Sequence, residues 1–359
     1  MTAKAPPPEY EDQLIEATKA NRIELDDYLS SVQGLHAFSD SVRWNEDERA
    51  LLPDSHSSIP RTMTAVRDKE LHNLTPDCVV QRDPGYGVIA EMKKHYREAG
   101  DTSAFEQIQQ YDDDLLGWWT EDERIPLHDL VLLTHYLSST KATDAYRYWE
   151  SKGGEFTRCF AIVEFNFTHQ ASPSFTLKRV TGHLSDKAHD EALRQGKPIP
   201  ERFVLDYIRR YKFYDARPPL VYVMLLIHDY VLPSLLSPDA FGGAGGVPVV
   251  VVTAEQVRMI LQEQFSGPLN TSRQPMLPRR DWVESALEEF TRVKLAEPLD
   301  DVAGRSYRFV LRKPSRKDTL EFLTDRILRR TKEGAARQGP ETTGGEPFQL
   351  PLFGDSDRS

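Results

Sequence analysis

The sequence predicts an α/β fold, with a core around a central mixed sheet followed by a mainly helical unit. Between residues 70 and 198, strand-like segments alternate with amphipathic helical ones, the pattern of a sheet flanked by helices. Beyond Pro198 the texture changes to longer helical stretches separated by Arg217-Pro218-Pro219. The 359 residues, 39% hydrophobic and 28% charged, have the balance of a globular chain and are enough for two compact units with tails.

Residues 9 to 31 read as a helix, with Leu14, Ala17, Ile23 and Leu25 among charged neighbours, and a polar stretch from Ser39 to Arg61 follows. Leu74 to Val80 and Val88 to Lys94 are strand-like and flank the turn-forming Asp83-Pro84-Gly85-Tyr86-Gly87, so they predict a hairpin. From Ser103 to Trp119, Phe105, Ile108, Tyr111, Leu115 and Trp118 recur at helical spacing. Leu127 to His135 predicts a strand, Lys141 to Ser151 a helix, and Phe160 to Phe167 with Ser174 to Val180 two further strands.

The second unit begins with helical stretches over Phe203 to Tyr214 and Pro219 to Leu236. Gly242 to Gly246 is a flexible loop; it precedes a strand-like segment, Val247 to Val252, and lacks the Gly-Lys-Ser/Thr ending of a phosphate loop. Helices follow over Ala254 to Phe265 and from a predicted cap at Asp281, with Val283, Leu287, Phe290 and Val293 as the apolar stripe. Arg305 to Lys313 alternates Tyr307, Phe309 and Leu311 with Arg308, Val310 and Arg312, as a half-buried edge strand does. Helix, short connection and basic strand make a winged-helix-like ending. The expected division is an N-terminal segment 1–69, a core 70–198, a helical unit 199–333 and a disordered tail 334–359.

The net charge of −11 argues against a protein that coats nucleic acid with its whole surface. The charge is unevenly spread, because Arg305 to Arg337 holds eleven Lys or Arg against four Asp or Glu. Cys78 and Cys159 are the only cysteines, so neither a disulfide framework nor a structural zinc site is indicated. The longest apolar run, Leu220 to Ile227, is too short to span a bilayer, and the acidic, Pro-rich start does not read as a signal peptide. A cytoplasmic protein without a membrane partner is expected.

Glu91 and Lys93 are two apart on a predicted strand and leave the same face; Asp77 sits on the other arm of the hairpin. Two converging carboxylates suit a hard divalent cation, and an ammonium beside them suits the charge that develops when a phosphodiester is attacked. On the downstream helix, Gln107 and Tyr111 are four apart and share a face. Lys94 points the other way, toward solvent, and a lone His95 reads as structural.

Pro76-Asp77 followed by Glu91-Met92-Lys93 resembles the PD-(D/E)XK nuclease superfamily, and Gln107 with Tyr111 resembles the Gln-xxx-Tyr element of its RecB-like branch. The resemblance covers residues 70 to 180. It implies a restriction-endonuclease-like core, hydrolysis of DNA as an endodeoxyribonuclease, Mg²⁺ with Mn²⁺ as a substitute, and catalytic roles for Asp77, Glu91, Lys93, Gln107 and Tyr111. The superfamily often adds an acid from its first helix; Glu16 is the candidate here, with Glu24, Glu46 and Glu70 as competitors. Arg279, Arg280, Arg308 and Arg312 are the expected DNA contacts. In the tail, Gln349-Leu350-Pro351-Leu352-Phe353 resembles the bacterial sliding-clamp binding pentapeptide, which makes Gln349, Leu350, Leu352 and Phe353 expected clamp contacts. The alternative is a non-catalytic DNA-binding adaptor or replication regulator that keeps the fold.

Overall fold

The computed structural model describes residues 8–45, 50–67, 70–96, 98, 100–118, 120, 122–168, 174–199, 203, 212–236, 248–265, 276–301, 304–310 and 318–338. The chain opens with α1 (Pro8–Arg43), then β1 (Trp44–Asn45), β2 (Ala50–Leu51), β3 (His56–Ser58), β4 (Met63–Arg67), β5 (Glu70–Leu74), β6 (Cys78–Asp83) and β7 (Tyr86–Met92). Next come α2 (Ser103–Gln109), β8 (Leu115–Leu116), β9 (Leu127–His135), α3 (Ser139–Ser151), β10 (Phe160–Thr168), β11 (Ser174–Gly182), α4 (Lys187–Gln195) and β12 (Lys197–Ile199).

Seven strands form one mixed sheet in the order β12-β11-β10-β9-β7-β6-β3. The β7–β9 and β9–β10 pairs are parallel, and the others are antiparallel. Strand alternation sorts the core into two layers. Val80, Ala90, Val131 and Val163 pack with Leu35, Phe38 and Val42 of α1 on one face. Val79, Ile89, Leu130 and Ile162 pack with Phe105 and Ile108 of α2 and Trp149 of α3 on the other. Truncating a ring such as that of Phe105, which is fully buried, costs about 3–5 kcal/mol.

Several boundaries differ from the sequence expectation. α1 runs past Ser31 because Val32, Leu35, Phe38 and Val42 continue an apolar stripe and are all buried. Gly34 does not break it. A Cβ there would lie 3.2 Å from the Met92 side chain, so the glycine lets the helix approach the sheet closely. The helix expected to reach Trp119 ends at Gln109, where the chain turns and Asp112 accepts hydrogen bonds from the backbone N–H groups of Thr157 and Arg158. Leu74 ends β5, and Asp77 lies just before β6, which begins at Cys78.

The C-terminal unit contains α5 (Leu220–Leu226), continued by a π-helical turn, Ile227–Val231, and a last turn, Leu232–Ser234. It continues with β13 (Val249–Thr253), α6 (Ala254–Phe265), α7 (Arg280–Arg292), β14 (Ala296–Asp301), β15 (Gly304–Val310) and α8 (Thr319–Gln338). Most of the helix expected over Phe203 to Tyr214 lies outside the described residues. Asp281 is not the cap of α7: Arg279 is the capping residue, and its carbonyl accepts from Trp282 and Val283. The strand expected at an edge, β15, lies in the middle of a three-stranded antiparallel sheet ordered β13-β15-β14. β14 occupies the stretch expected only as a short connection between the helix and the basic strand, and it carries Pro298, Asp300 and Asp301, types depleted in strands.

The two parts of the chain share α1. Its C-terminal half covers the mixed sheet, whereas Tyr28 and Val32 join the core of the C-terminal unit with Tyr222, Leu287 and Leu323. Its N-terminal half pairs with α8 through Asn21 Nδ2 to Thr324 Oγ1 at 3.0 Å and an Arg22–Asp318 ion pair at 2.6 Å. α8 continues past the expected start of the tail at residue 334. Among the described residues no helix is long and apolar enough to cross a membrane.

Candidate functional site

Asp77, immediately before β6, and Glu91, on β7, lie on the sheet face covered by α2. Both are buried, at 9% and 5% exposure, and their carboxyl groups are hydrogen-bonded to one another. The Met92 N–H donates to Asp77 Oδ2 at 2.9 Å, so backbone geometry at the end of β7 fixes the aspartate. Tyr111, just beyond α2, donates its hydroxyl to Glu91 Oε1. Gln107, exposed on α2, donates to the Tyr111 hydroxyl at 3.4 Å. His128 Nε2 donates to the Tyr111 carbonyl at 2.9 Å and holds that residue from below.

Burial raises the Asp77 carboxyl to about 6, against the opposing pull of the Met92 N–H and the Glu91 carboxyl, and the Asp215 carboxylate adds to the rise. Glu91 is raised well above the usual carboxylate range, first by burial and then by the charge of Asp77. Set together and buried, the two carboxyls hold a shared proton more tightly than either would in water, so the pair titrates above the usual carboxylate range.

Lys93 shares the Glu91 face, but its ammonium is turned toward the start of α2. Its Nζ lies 3.5 Å from Asp101 Oδ2 and 3.4 Å from Ser103 Oγ. The chain from Ser103 to Tyr111 thus engages both motif positions, with Ser103 at Lys93, just past β7, and Tyr111 at Glu91. Lys94 does point to the opposite face, as strand alternation requires, but not to solvent. Its Nζ bonds the Asp27 carbonyl at 2.8 Å, Asp27 Oδ1 at 2.8 Å and Ser30 Oγ at 2.6 Å, tying α1 to the end of β7. His95 joins the same aspartate at 3.3 Å.

Glu16 makes no hydrogen bond or ion pair to Asp77 or Glu91 among the described residues. It is exposed on the N-terminal half of α1, about 16 Å along the helix from Asp27 at 1.5 Å per residue. Glu24 is nearer Asp27, whose charge, after burial, raises its carboxyl. Glu46 lies outside the described residues, and Glu70 begins β5. A further carboxylate whose charge reaches Asp77 is Asp215, which is ion-paired with Arg279. Sequence reasoning missed Asp215, just before Arg217-Pro218-Pro219, and Asp101, two residues before the expected helix start at Ser103. Among the described residues no group of three or more His, Cys, Asp or Glu is arranged to hold a metal.

Three of the four expected DNA contacts are engaged within the chain. Arg279 caps α7 and pairs with Asp215, Arg280 meets Glu284 at 2.8 Å, and Arg308 meets Glu297 across the β14–β15 pair at 3.1 Å. Arg312, Gln349, Leu350, Leu352 and Phe353 lie outside the described residues.

No family model, curated protein or solved structure matches the chain.

Proposed function

We propose that this chain is a Mg²⁺-dependent deoxyribonuclease of the PD-(D/E)XK type, and the observation that carries the reading is the buried, mutually facing Asp77–Glu91 pair. Two carboxylates held together at that depth need a positive partner. A shared proton supplies it at low pH, and a hard divalent cation suits the same oxygen donors at neutral pH. Further support comes from the order of elements: an antiparallel β6–β7 hairpin, then α2, then β9 parallel to β7, with the Asp at the start of one arm and Glu-x-Lys at the end of the other.

When bound, Mg²⁺ supplies Lewis acidity and neutralises phosphate charge. The chain's own contribution begins with loss of the bridging proton, which frees the Asp77 and Glu91 oxygens. The Met92 N–H and the Tyr111 hydroxyl hold those oxygens in place, so little reorganisation accompanies reaction. The Lys93 ammonium stabilises the phosphorane-like charge as a water oxygen bonds to phosphorus and the bond to one sugar oxygen breaks, the water's proton passing through solvent to that leaving oxygen; Gln107 orients Tyr111.

The sheet order β13-β15-β14, with α6 and α7 preceding the β14–β15 hairpin, supports a winged-helix reading of the C-terminal unit and hence duplex DNA as the partner. The tail pentapeptide adds a sliding clamp as the proposed recruiting partner, on a tether that raises the local DNA concentration.

Incubating supercoiled, linear and single-stranded DNA with Mg²⁺, Mn²⁺ or EDTA tests this function. Wild-type protein cleaves with either metal and not in EDTA, and Asp77→Ala is inactive. Equal cleavage by both proteins, or none that depends on metal, removes the proposal.

A further inference from the structure

We infer that Asp101 is a positioning residue for the proposed reaction, holding the Lys93 ammonium at the start of α2 at a fixed distance from the Asp77–Glu91 pair. This rests on the nuclease reading above and adds a residue that the sequence motif does not contain.

Lys93 follows the last residue of β7, and its backbone N–H still bonds the Leu133 carbonyl at 2.9 Å, so its Cα is anchored in the sheet. Its side chain is not anchored by packing, being 37% exposed, and a lysine stem carries several rotatable bonds. Asp101 and Ser103 limit that freedom. Asp101 is itself held, because Oδ1 accepts the Ser103 hydroxyl at 2.6 Å and the Ser103 N–H at 3.3 Å, leaving Oδ2 to face the ammonium at 3.5 Å. Ser103 Oγ lies 3.4 Å from the same ammonium. Ser103 also belongs to the helix whose far end leads into Tyr111, the donor to Glu91. One short segment, from Ser103 to Tyr111, therefore contacts both the ammonium and the Glu91 carboxyl.

A group that stabilises charge only as it develops contributes to kcat, and misplacing it leaves substrate binding intact. The comparison uses the full chain, with Asp101→Asn removing the charge at nearly constant size and Asp101→Glu restoring it. Asp101→Asn is expected to lower kcat about tenfold at saturating Mg²⁺ with KM for a duplex oligonucleotide unchanged, and Asp101→Glu to recover most of the loss. Melting temperatures should stay close to wild type. An activity-independent readout is the ¹⁵N ammonium resonance of Lys93, identified by its loss in Lys93→Met. It should be visible in wild type, where hydrogen bonding slows its exchange, and lost in Asp101→Ala.

A resonance that persists in Asp101→Ala overturns the inference, as does wild-type cleavage matched by an unchanged kcat in Asp101→Asn. A kcat loss that follows the melting temperature assigns Asp101 to folding and also overturns it. Wild-type protein that cleaves no DNA removes the nuclease reading itself, an outcome separable from the others because it precedes any comparison with the variants.

Discussion

On the mixed sheet, Asp77 and Glu91 face one another as two carboxyl groups at 9% and 5% exposure; in the C-terminal unit, Arg280, Arg305 and Arg308 stand in water, each against a glutamate of its own chain. The first arrangement opposes stability, since two carboxylates have been taken from solvent and set together. The second is close to neutral, because exposed ion pairs contribute about 0–1 kcal/mol. A costly arrangement persists in a fold when something other than stability selects it, and this distinguishes the sheet site from the basic surface. It also means that the eleven positive charges of the C-terminal stretch overstate what is free to meet phosphate, because Arg305 and Arg308 already face Glu288 and Glu297.

The largest expected effect breaks the comparison at its costly end. The folded-state Asp77 carboxyl, at about 6, lies above the ordinary 3.8, so the folded chain binds its proton more tightly than the unfolded chain does. The stability this contributes is complete below about pH 4 and is lost as pH rises through 6. Without divalent cation, the wild-type protein should lose on the order of 2 kcal/mol between about pH 4 and 7, and Asp77→Asn should be flatter and more stable at pH 7. Mg²⁺ should act in the opposite sense, stabilising wild type at neutral pH, not at pH 4, and never the Asn variant. Calorimetric melting across pH with and without Mg²⁺ reads both. A wild-type curve without slope and without a Mg²⁺ shift would mean the pair neither titrates nor binds as described.

How much of this was legible in the sequence depends on whether the determinant was local. The β6–β7 turn was, because Asp83 accepts the Gly85 N–H at 2.7 Å within the stretch that reads as a turn. Strand β9 was, because Leu127 to His135 is apolar enough to be buried on both faces. Strand alternation put Glu91 and Lys93 on one face, and the predicted hairpin set Asp77 opposite them, although Asp77 falls just before β6. The partners of Lys93 were not legible, since Asp101 and Ser103 reach it only once α2 has packed on the sheet. Nor was Asp215, which comes from a connection between units whose path no periodicity reveals. The overestimated length of α2 has the same origin: Tyr111, Leu115 and Trp118 keep a helical spacing and are all buried, but from a turn and a short strand packed against β4.

A medium effect is expected one layer out from the carboxylates. Tyr111 is 3% exposed and its hydroxyl joins Gln107 to Glu91. Tyr111→Phe keeps the ring and removes the donor, leaving the Glu91 oxygen without that partner. Mg²⁺ affinity should fall about tenfold, in the range seen when outer-shell partners of metal ligands are removed. Gln107→Ala, which acts through Tyr111 from an exposed position, should cost less. Titration calorimetry of the two variants orders them, and a larger effect at Gln107 would place the amide in direct contact with the ligand.

The smallest effect tests the exposed end of the comparison. Arg308 meets Glu297 at 3.1 Å, with the guanidinium 43% and the carboxylate 65% exposed, so either partner can exchange its contact for water or for a phosphate. If DNA takes the guanidinium from Glu297, the two residues affect binding with opposite signs. Arg308→Ala should weaken non-specific DNA binding a few-fold and reduce the salt dependence by about one counterion, while Glu297→Gln should strengthen binding. If the pair only decorates the β14–β15 surface, both substitutions leave affinity and salt slope alone and change stability by less than about 0.5 kcal/mol. Fluorescence anisotropy at several salt concentrations separates these outcomes. Opposite signs at Arg308 and Glu297 would show that a surface that is neutral for stability still works for binding, whereas two null results would exclude this pair from any DNA contact.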